Sequence, residues 1–356
     1  MKSRASLNEV ISKAVRNKDG FDIDRFKLIK KLDKNVGFKP QEWIPWSAAM
    51  QDITSLVGAP HGHISLLRGH SDTGKTTLLL ELATSTQKIG KLPVLIITEM
   101  KWNWEHAKEM GFEVIEEVQP DGEILYKGNF IYVDRGTLNT IEDIAHFIND
   151  LLDEQKKGNL PIDLVFLWDS IGSIPCKMSV DSNKNNNEWN AGAMSVQFGN
   201  FINQKIILSR KANQPYTNSL ICINKVWVDK PENPMARPKM KNKNGNTMFF
   251  DSSVIVTFGN ISNPGTSKIK AVKGGKEVEF AKRTKVQIDK NHVGNVTTKG
   301  TIIMTAHGFI KDDKKEIDQY KKDHSDEWLS ILGGTDFEVV IENEETETSV
   351  DYLLDD

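Results

Sequence analysis

The sequence predicts an α/β protein: a mainly parallel, twisted sheet with helices on both faces and an antiparallel extension. Three observations predict it. From about residue 63, short continuous apolar runs alternate with helical patterns, as expected of strands buried on both faces. A glycine-rich turn joins one of those runs to a helical segment. After Gly245 the texture becomes strand-rich.

The elements follow in order. Ser6-x-x-Glu9 reads as a capping box, and Leu7, Val10, Ile11, Ala14 and Val15 then fall at helical spacing until Lys18-Asp19-Gly20. So short a helix cannot bury its own stripe, so it is expected to dock on the core or on a neighbouring subunit. Ile64–Leu67 is a strand, Lys75–Ala83 a helix, and Val94–Ile97 and Phe130–Val133 are strands. Ile141, Ile144, Ile148, Leu151 and Leu152 form one face of a helix. Leu164–Trp168 and Leu220–Ile223 are fully apolar strands. Ser253–Phe258, Thr284–Ile288 and Thr301–Thr305 supply the antiparallel end. Two long polar stretches, 176–190 and 226–246, show no pattern, and such loops are usually functional or disordered.

Composition narrows the class. The 356 residues suggest at most about two domains. No apolar run reaches the roughly 18 residues of a membrane span, and MKSRASLNEV lacks the apolar region of a secretory signal. Two cysteines, Cys176 and Cys222, give neither a disulfide framework nor a zinc spacing. The expectation is a soluble, cytoplasmic protein. The net charge of −3 hides an asymmetry: residues 1–40 carry 11 basic and 5 acidic residues, and residues 341–356 carry 7 acidic and none basic. That pattern fits nucleic-acid association and an acidic tail, or a solvated helix face and a loose end.

Gly69-His70-Ser71-Asp72-Thr73-Gly74-Lys75-Thr76 matches G-x-x-x-x-G-K-[ST], followed by Thr77. It lies between a predicted strand and a predicted helix, as the chemistry requires. The glycines let backbone N–H groups turn toward phosphates, aided by the helix N-terminus. Lys75 reaches the β- and γ-phosphates, and the Thr76 hydroxyl binds Mg2+. Asp169, after an apolar strand, is the expected second anchor for Mg2+. Glu99, after the strand Val94–Ile97, is a candidate general base. His61-Gly-His63 reads as a turn into a strand.

The ordered set resembles the RecA-type recombinases, and within them the UvsX-like bacteriophage branch. It comprises a strand, this P-loop, a helix, a strand ending in Glu99, Asp169-Ser170, a long loop, a strand ending in Asn224 and a second long loop. The matching stretches Gly69–Thr77, Val94–Gly111, Leu164–Gly172, Ser219–Lys225, Gly245–Phe258 and Thr284–His307 span roughly residues 45–310. The resemblance implies a RecA-type ATPase core over 45–310. It also implies an oligomerisation helix and linker over 1–44, a short segment over 311–340 and an acidic tail over 341–356. It implies ATP and Mg2+ as cofactors, Glu99 and Lys75 as catalytic residues, and His106 stacked on adenine. Loops 176–190 and 226–246 would contact single-stranded DNA, with candidates Lys177, Trp189, Trp227, Lys230, Arg237, Lys239, Lys241 and Lys243.

Two departures stand out. Lys225 follows Asn224 where the family has Gln or His, and Lys290-Asn-His292 replaces the family's two cations that read a neighbour's γ-phosphate. The expected function is an ATP-dependent recombinase that forms filaments on single-stranded DNA and pairs it with double-stranded DNA. Single-strand-binding and mediator proteins are expected partners; a membrane is not. The alternatives are a hexameric helicase motor and a non-catalytic ATP-binding filament protein.

Overall fold

The computed structural model describes residues 37–229, 239–261, 264–273, 275–294, 296–327 and 338–340. The expected N-terminal helix, the acidic tail, Lys230 and Arg237 lie outside them. A small unit comprises residues up to Pro40 together with Arg210–Pro215. Within it Phe38 bridges Lys211, and the Arg210 guanidinium lies 5.3 Å over the Phe38 ring. Everything below belongs to the large unit, Gln41–Ser209 with Tyr216–Asp356.

The first half runs β1 (Trp43–Pro45), α1 (Ala48–Thr54), β2 (Gly58–Pro60), β3 (Ile64–Gly69), α2 (Lys75–Lys88), β4 (Leu92–Ile97) and α3 (Trp104–Glu109). It continues with β5 (Ile115–Val118), β6 (Ile124–Lys127), β7 (Ile131–Asp134), α4 (Ile141–Lys157) and β8 (Leu164–Asp169). Then come α5 (Lys177–Asp181), α6 (Asn187–Met194), a π-helical stretch (Ser195–Ile202), α7 (Asn203–Leu208), β9 (Ser219–Asp229) and β10 (Lys239–Asn242). The last part holds α8 (Thr247–Asp251), β11 (Val254–Gly259), α9 (Pro264–Ser267), β12 (Lys268–Lys273) and β13 (Lys276–Asn291). It closes with β14 (Lys299–Thr305), β15 (Gly308–Lys311), α10 (Lys314–Asp323) and β16 (Glu338–Val340).

The main sheet is ordered β15-β14-β13-β11-β3-β9-β8-β4-β7. From β11 to β7 every pairing is parallel, and β13, β14 and β15 add antiparallel strands beyond β11. The apolar runs are continuous because alternate residues feed two separate cores. Leu67, Leu95, Ile97, Val165, Leu167, Ile221 and Ile223 pack with α1, α2 and α3 on one face. Ile64, Leu66, Val94, Ile96, Phe166, Trp168, Leu220 and Cys222 pack with α4 and the helices after it on the other. The stripe expected on α4 is observed: Ile141, Ile144, Ile148 and Leu152 are buried. Its start is a capping box in which Thr140 and Asp143 satisfy each other's backbone N–H, and Gly158 at φ +83° ends it. A third, smaller core lies under α10, where Ile317 and Tyr320 meet Ile269, Phe280 and Ile303 of the antiparallel extension.

The two stretches expected to lack structure are corrected. Residues 176–190 hold α5 and the start of α6, and residues 226–242 carry the arms of a β-hairpin, with Trp227 opposite Lys241. The reason is side-chain amides that replace regular backbone pairing. Asn190 Oδ1 accepts from the Cys176 N–H (2.8 Å) and the Ser179 hydroxyl (3.0 Å). Asn244 Nδ2 donates to the Ile171 and Ile174 carbonyls (2.8 and 2.9 Å), and Asn190 Nδ2 to Asn244 Oδ1 (3.3 Å). The two stretches are therefore stitched to each other. The β5–β6 hairpin, β12, β15 and α10 are further elements that the periodicity did not reveal.

The amino ends of the parallel strands are tied by a polar knot. His61 Nδ1 meets Ser219 Oγ at 2.7 Å, and its Nε2 meets Asp163 Oδ2 at 3.1 Å. Lys91 Nζ lies 2.8 Å from Asp163 and 3.0 Å from Glu42, occupying the position a cation would take among these groups. Burial alone would raise the Asp163 carboxyl, but His61, Lys91 and the Thr217 N–H hold it well below the usual carboxylate range. A depressed carboxyl contributes stability above its unfolded pKa and loses it as pH falls. Asp163→Asn should cost about 2–3 kcal/mol at pH 7, the scale of hydrogen bonds to a charged group. In thermal melts the gap to wild type should close as pH drops below about 4; a constant gap would disprove the charged role.

Candidate functional site

Strand register gathers the functional residues at one edge. Gly69 pairs with Lys225 across β3 and β9, and Ile97 pairs with Asp169 across β4 and β8. The carboxyl ends of β3, β4, β8 and β9 are thus level, and ligands of open α/β sheets bind in the crevice at that edge.

The loop between β3 and α2 is shaped by its glycines. Gly69 sits at φ +148° and Gly74 at φ +101°. A Cβ at Gly69 would run into the Phe258 carbonyl, and one at Gly74 would come within 3.0 Å of the Phe309 ring. Ser71, Asp72 and Thr76 are exposed, His70 and Thr77 half-buried, and Thr73, Gly74 and Lys75 buried. The Lys75 ammonium is held by the His70 carbonyl and lies 3.4 Å from Thr73 Oγ1. Thr284 Oγ1 donates to the Thr73 carbonyl (3.0 Å) and Lys282 Nζ to that of Asp72 (2.8 Å), bracing the loop from β13.

Thr76 Oγ1 donates to Asp169 Oδ2 at 2.7 Å. A hydroxyl and a carboxylate so placed form the donor pair suited to a hard divalent cation. Burial pushes Asp169 up to about 6, reinforced by the Glu99 charge and opposed by the Thr76 hydrogen bond. Burial also brings Lys75 down to about 8, opposed by Asp169 and Glu99. A buried cation beside two carboxylates is a socket for negative charge with its own counter-charges in place.

Glu99 follows β4, and its N–H donates to the Asp169 carbonyl (3.2 Å). Its Oε1 accepts from the Ser170 hydroxyl (2.7 Å) and from Lys225 Nζ (2.8 Å), while Lys101 Nζ lies 3.9 Å from Oε2. Burial would raise this carboxyl, but the Lys225 and Ser170 hydrogen bonds hold it below its usual value. Thr98 fixes the neighbouring backbone: its Oγ1 accepts from the Ser170 N–H (3.0 Å) and from Trp168 Nε1 (3.1 Å). Sequence reasoning named Lys225 only as a departure from the family pattern and missed Thr98, Lys101, Lys282 and Thr284. Position beyond an apolar strand end marks Lys225, Thr98 and Lys101; nothing local marks Lys282 or Thr284.

The other expected residues are scattered. His106 lies on α3, 3.6 Å from Glu109. The aromatic residues near it in sequence form a packing cluster, with Trp104 stacked on Tyr126 at 4.5 Å. Lys290 donates to the Phe250 carbonyl (2.6 Å), and its partner in β11, Ile255, is level with Leu66. Lys290 and His292 therefore lie toward the start of β3, about 10 Å of strand rise or more from Gly69. Lys177 is exposed at the start of α5, whereas Trp189 packs against the second core. Trp227 is 39% exposed on β9. Lys239 and Lys241 lie on β10, and Lys243 follows it, its side chain lying close over Gly172. Among the described residues no helix is long and apolar enough to cross a membrane.

No protein-family model matches the chain. Over 101 residues it is 30% identical to Protein RecA of Thermotoga maritima, covering 25% of this chain and 28% of that protein. Over 82 residues it is 35% identical to Protein RecA of Aquifex aeolicus, covering 23% and 24%. Over 74 residues it is 36% identical to Protein RecA of Aquifex pyrophilus, covering 20% and 21%. The chain is thus distantly similar to RecA proteins and spans about a quarter of the length of these curated relatives.

Proposed function

We propose that the chain is an ATP-dependent DNA recombinase of the UvsX-like bacteriophage type, which forms filaments on single-stranded DNA and promotes strand exchange. The observation that carries this reading is the convergence of Lys75, the Thr76–Asp169 pair and Glu99 on one edge of the sheet. The distant similarity to RecA proteins supports the same reading.

The residues fit a magnesium nucleoside triphosphate. Gly69–Thr77 would cradle the phosphates, Lys75 would counter the charge of the β- and γ-phosphates, and Thr76 and Asp169 would hold Mg2+. When bound, Mg2+ supplies charge neutralisation at the phosphate oxygens. Glu99 would take a proton from water as its oxygen bonds to the γ-phosphorus and the bond to ADP breaks. Lys290 and His292, remote from their own chain's Gly69, suit a role on the phosphate of a neighbouring subunit. The β9–β10 hairpin offers lysines to a phosphate backbone and Trp227 to stack on bases.

The test is ATP turnover with and without single-stranded DNA, with negative-stain imaging of the same samples. Turnover stimulated by DNA, together with helical filaments, is expected. Turnover indifferent to DNA would overturn the recombinase reading, and closed rings would favour a helicase motor.

A further inference from the structure

The Glu99–Lys225 ion pair joins the two halves of the site. Lys225 is the residue at which β9 leaves the parallel sheet: it pairs with Gly69 on one side, and Val226 then pairs with Asn242 of β10. The Lys243 N–H donates to the Lys225 carbonyl (3.2 Å), and Asn224 Nδ2 to the Lys243 carbonyl (3.0 Å). The root of the hairpin is therefore one hydrogen-bonded piece, and its only long cation directed at the crevice carboxylate is occupied there. Glu99 is 10% exposed and Lys225 36%, so the pair sits at the mouth of the site rather than deep in the core.

We propose that Lys225 is a clamp that restrains hydrolysis by holding Glu99, and that single-stranded DNA seated on the β9–β10 hairpin draws Lys225 away. The inference rests on the ATPase site proposed above. With Ser170 on the same oxygen, Lys225 leaves Glu99 Oε1 with two donors and little capacity to accept a proton from water. The other end of the lever carries the charge that DNA would seek: Lys239, Lys241 and Lys243 lie on or just beyond the arm paired with Val226–Asp229. Phosphates engaging that arm would pull on the strand to which Lys225 is hydrogen-bonded. Lys225 acts through Glu99 and is a positioning residue.

Two readouts test the clamp. The first is ATP turnover without DNA for wild type, Lys225→Met and Lys225→Arg. Lys225→Met should raise kcat about five- to tenfold, within the usual range of coupling between sites. KM should change little, and Lys225→Arg should restore the restrained rate. The second is the anisotropy of a labelled oligothymidine without nucleotide. Losing a lysine would by itself weaken binding to a polyanion, whereas losing the clamp removes work that DNA must do, so Lys225→Met should bind more tightly. Faster basal turnover together with tighter binding supports the proposal; failure of either overturns it. Lys225→Gln, close to lysine in length and polar, repeats both measurements should the Met variant fold poorly. Wild type that does not bind the oligonucleotide, or Glu99→Gln turning over like wild type, would instead remove the underlying ATPase reading.

Discussion

Glu99→Gln is expected to lower kcat for ATP by about a hundred- to ten-thousandfold, the range that a positioned general base supplies. The amide keeps the size of the side chain and can still accept the Ser170 hydroxyl at Oε1, so the crevice should stay intact. The KM for ATP should therefore change little, because Glu99 is not among the groups that would hold the phosphates. A drop in kcat alone marks an interaction used in the transition state; a rise in KM alone would mean that Glu99 contributes to binding. Single-turnover phosphate release, with and without DNA, checks it. Turnover close to wild type would remove Glu99 from the chemistry.

Lys75→Met should act on binding and stability in opposite directions. Removing the ammonium from the His70 and Thr73 cradle should weaken ATP by about 1.5–3 kcal/mol, or roughly 10- to 200-fold in Kd. Without ATP the same change should stabilise the chain. A buried lysine whose pKa lies near 8 in the fold is held charged at a cost below that pH, and the cost is relieved as pH rises toward the unfolded value. Replacing it with an apolar chain of similar length removes a cost on the order of 3 kcal/mol near neutral pH. Melting curves at pH 7 should show Lys75→Met a few degrees above wild type, and addition of MgATP should raise only wild type. A variant that is less stable without ATP would mean that the Lys75 hydrogen bonds outweigh its burial.

This opposition explains why the socket is legible in sequence. A buried lysine flanked by glycines in the left-handed region is a poor choice for stability alone, so the string Gly69–Thr76 stands out against ordinary packing residues. The central strands are legible for a simpler reason. Ile64–Leu67, Val94–Ile97, Leu164–Trp168 and Leu220–Ile223 must be apolar on both faces, and no other common element demands that of so few residues. Asp169 and Glu99 are legible as acidic residues at or just beyond the ends of two such runs.

Other elements carry no such local mark. Lys239–Asn242 is a strand because Val226–Asp229 lies beside it, and its lysines alone would predict a solvated loop. Asn190 and Asn244 read as loop formers, yet are buried at 2% exposure because each satisfies backbone groups from distant segments. Residues 115–127 are largely exposed, so no buried face imposed a period on them. In each case the partner that defines the element is remote in sequence.

By itself, the sequence determined the parallel core, the order of its strands and helices along the chain, and the residue types of the phosphate and cation sites. Those features follow from local requirements: apolar runs for doubly buried strands, glycine where φ is positive, and a hydroxyl after the loop lysine. Only the tertiary structure decided the order of strands across the sheet and that Thr76 meets Asp169. It also decided that Lys290 lies away from its own chain's Gly69 and that Lys225 faces Glu99. Those relations depend on register between strands from distant parts of the chain. Register is set by the summed packing of two cores rather than by any single residue.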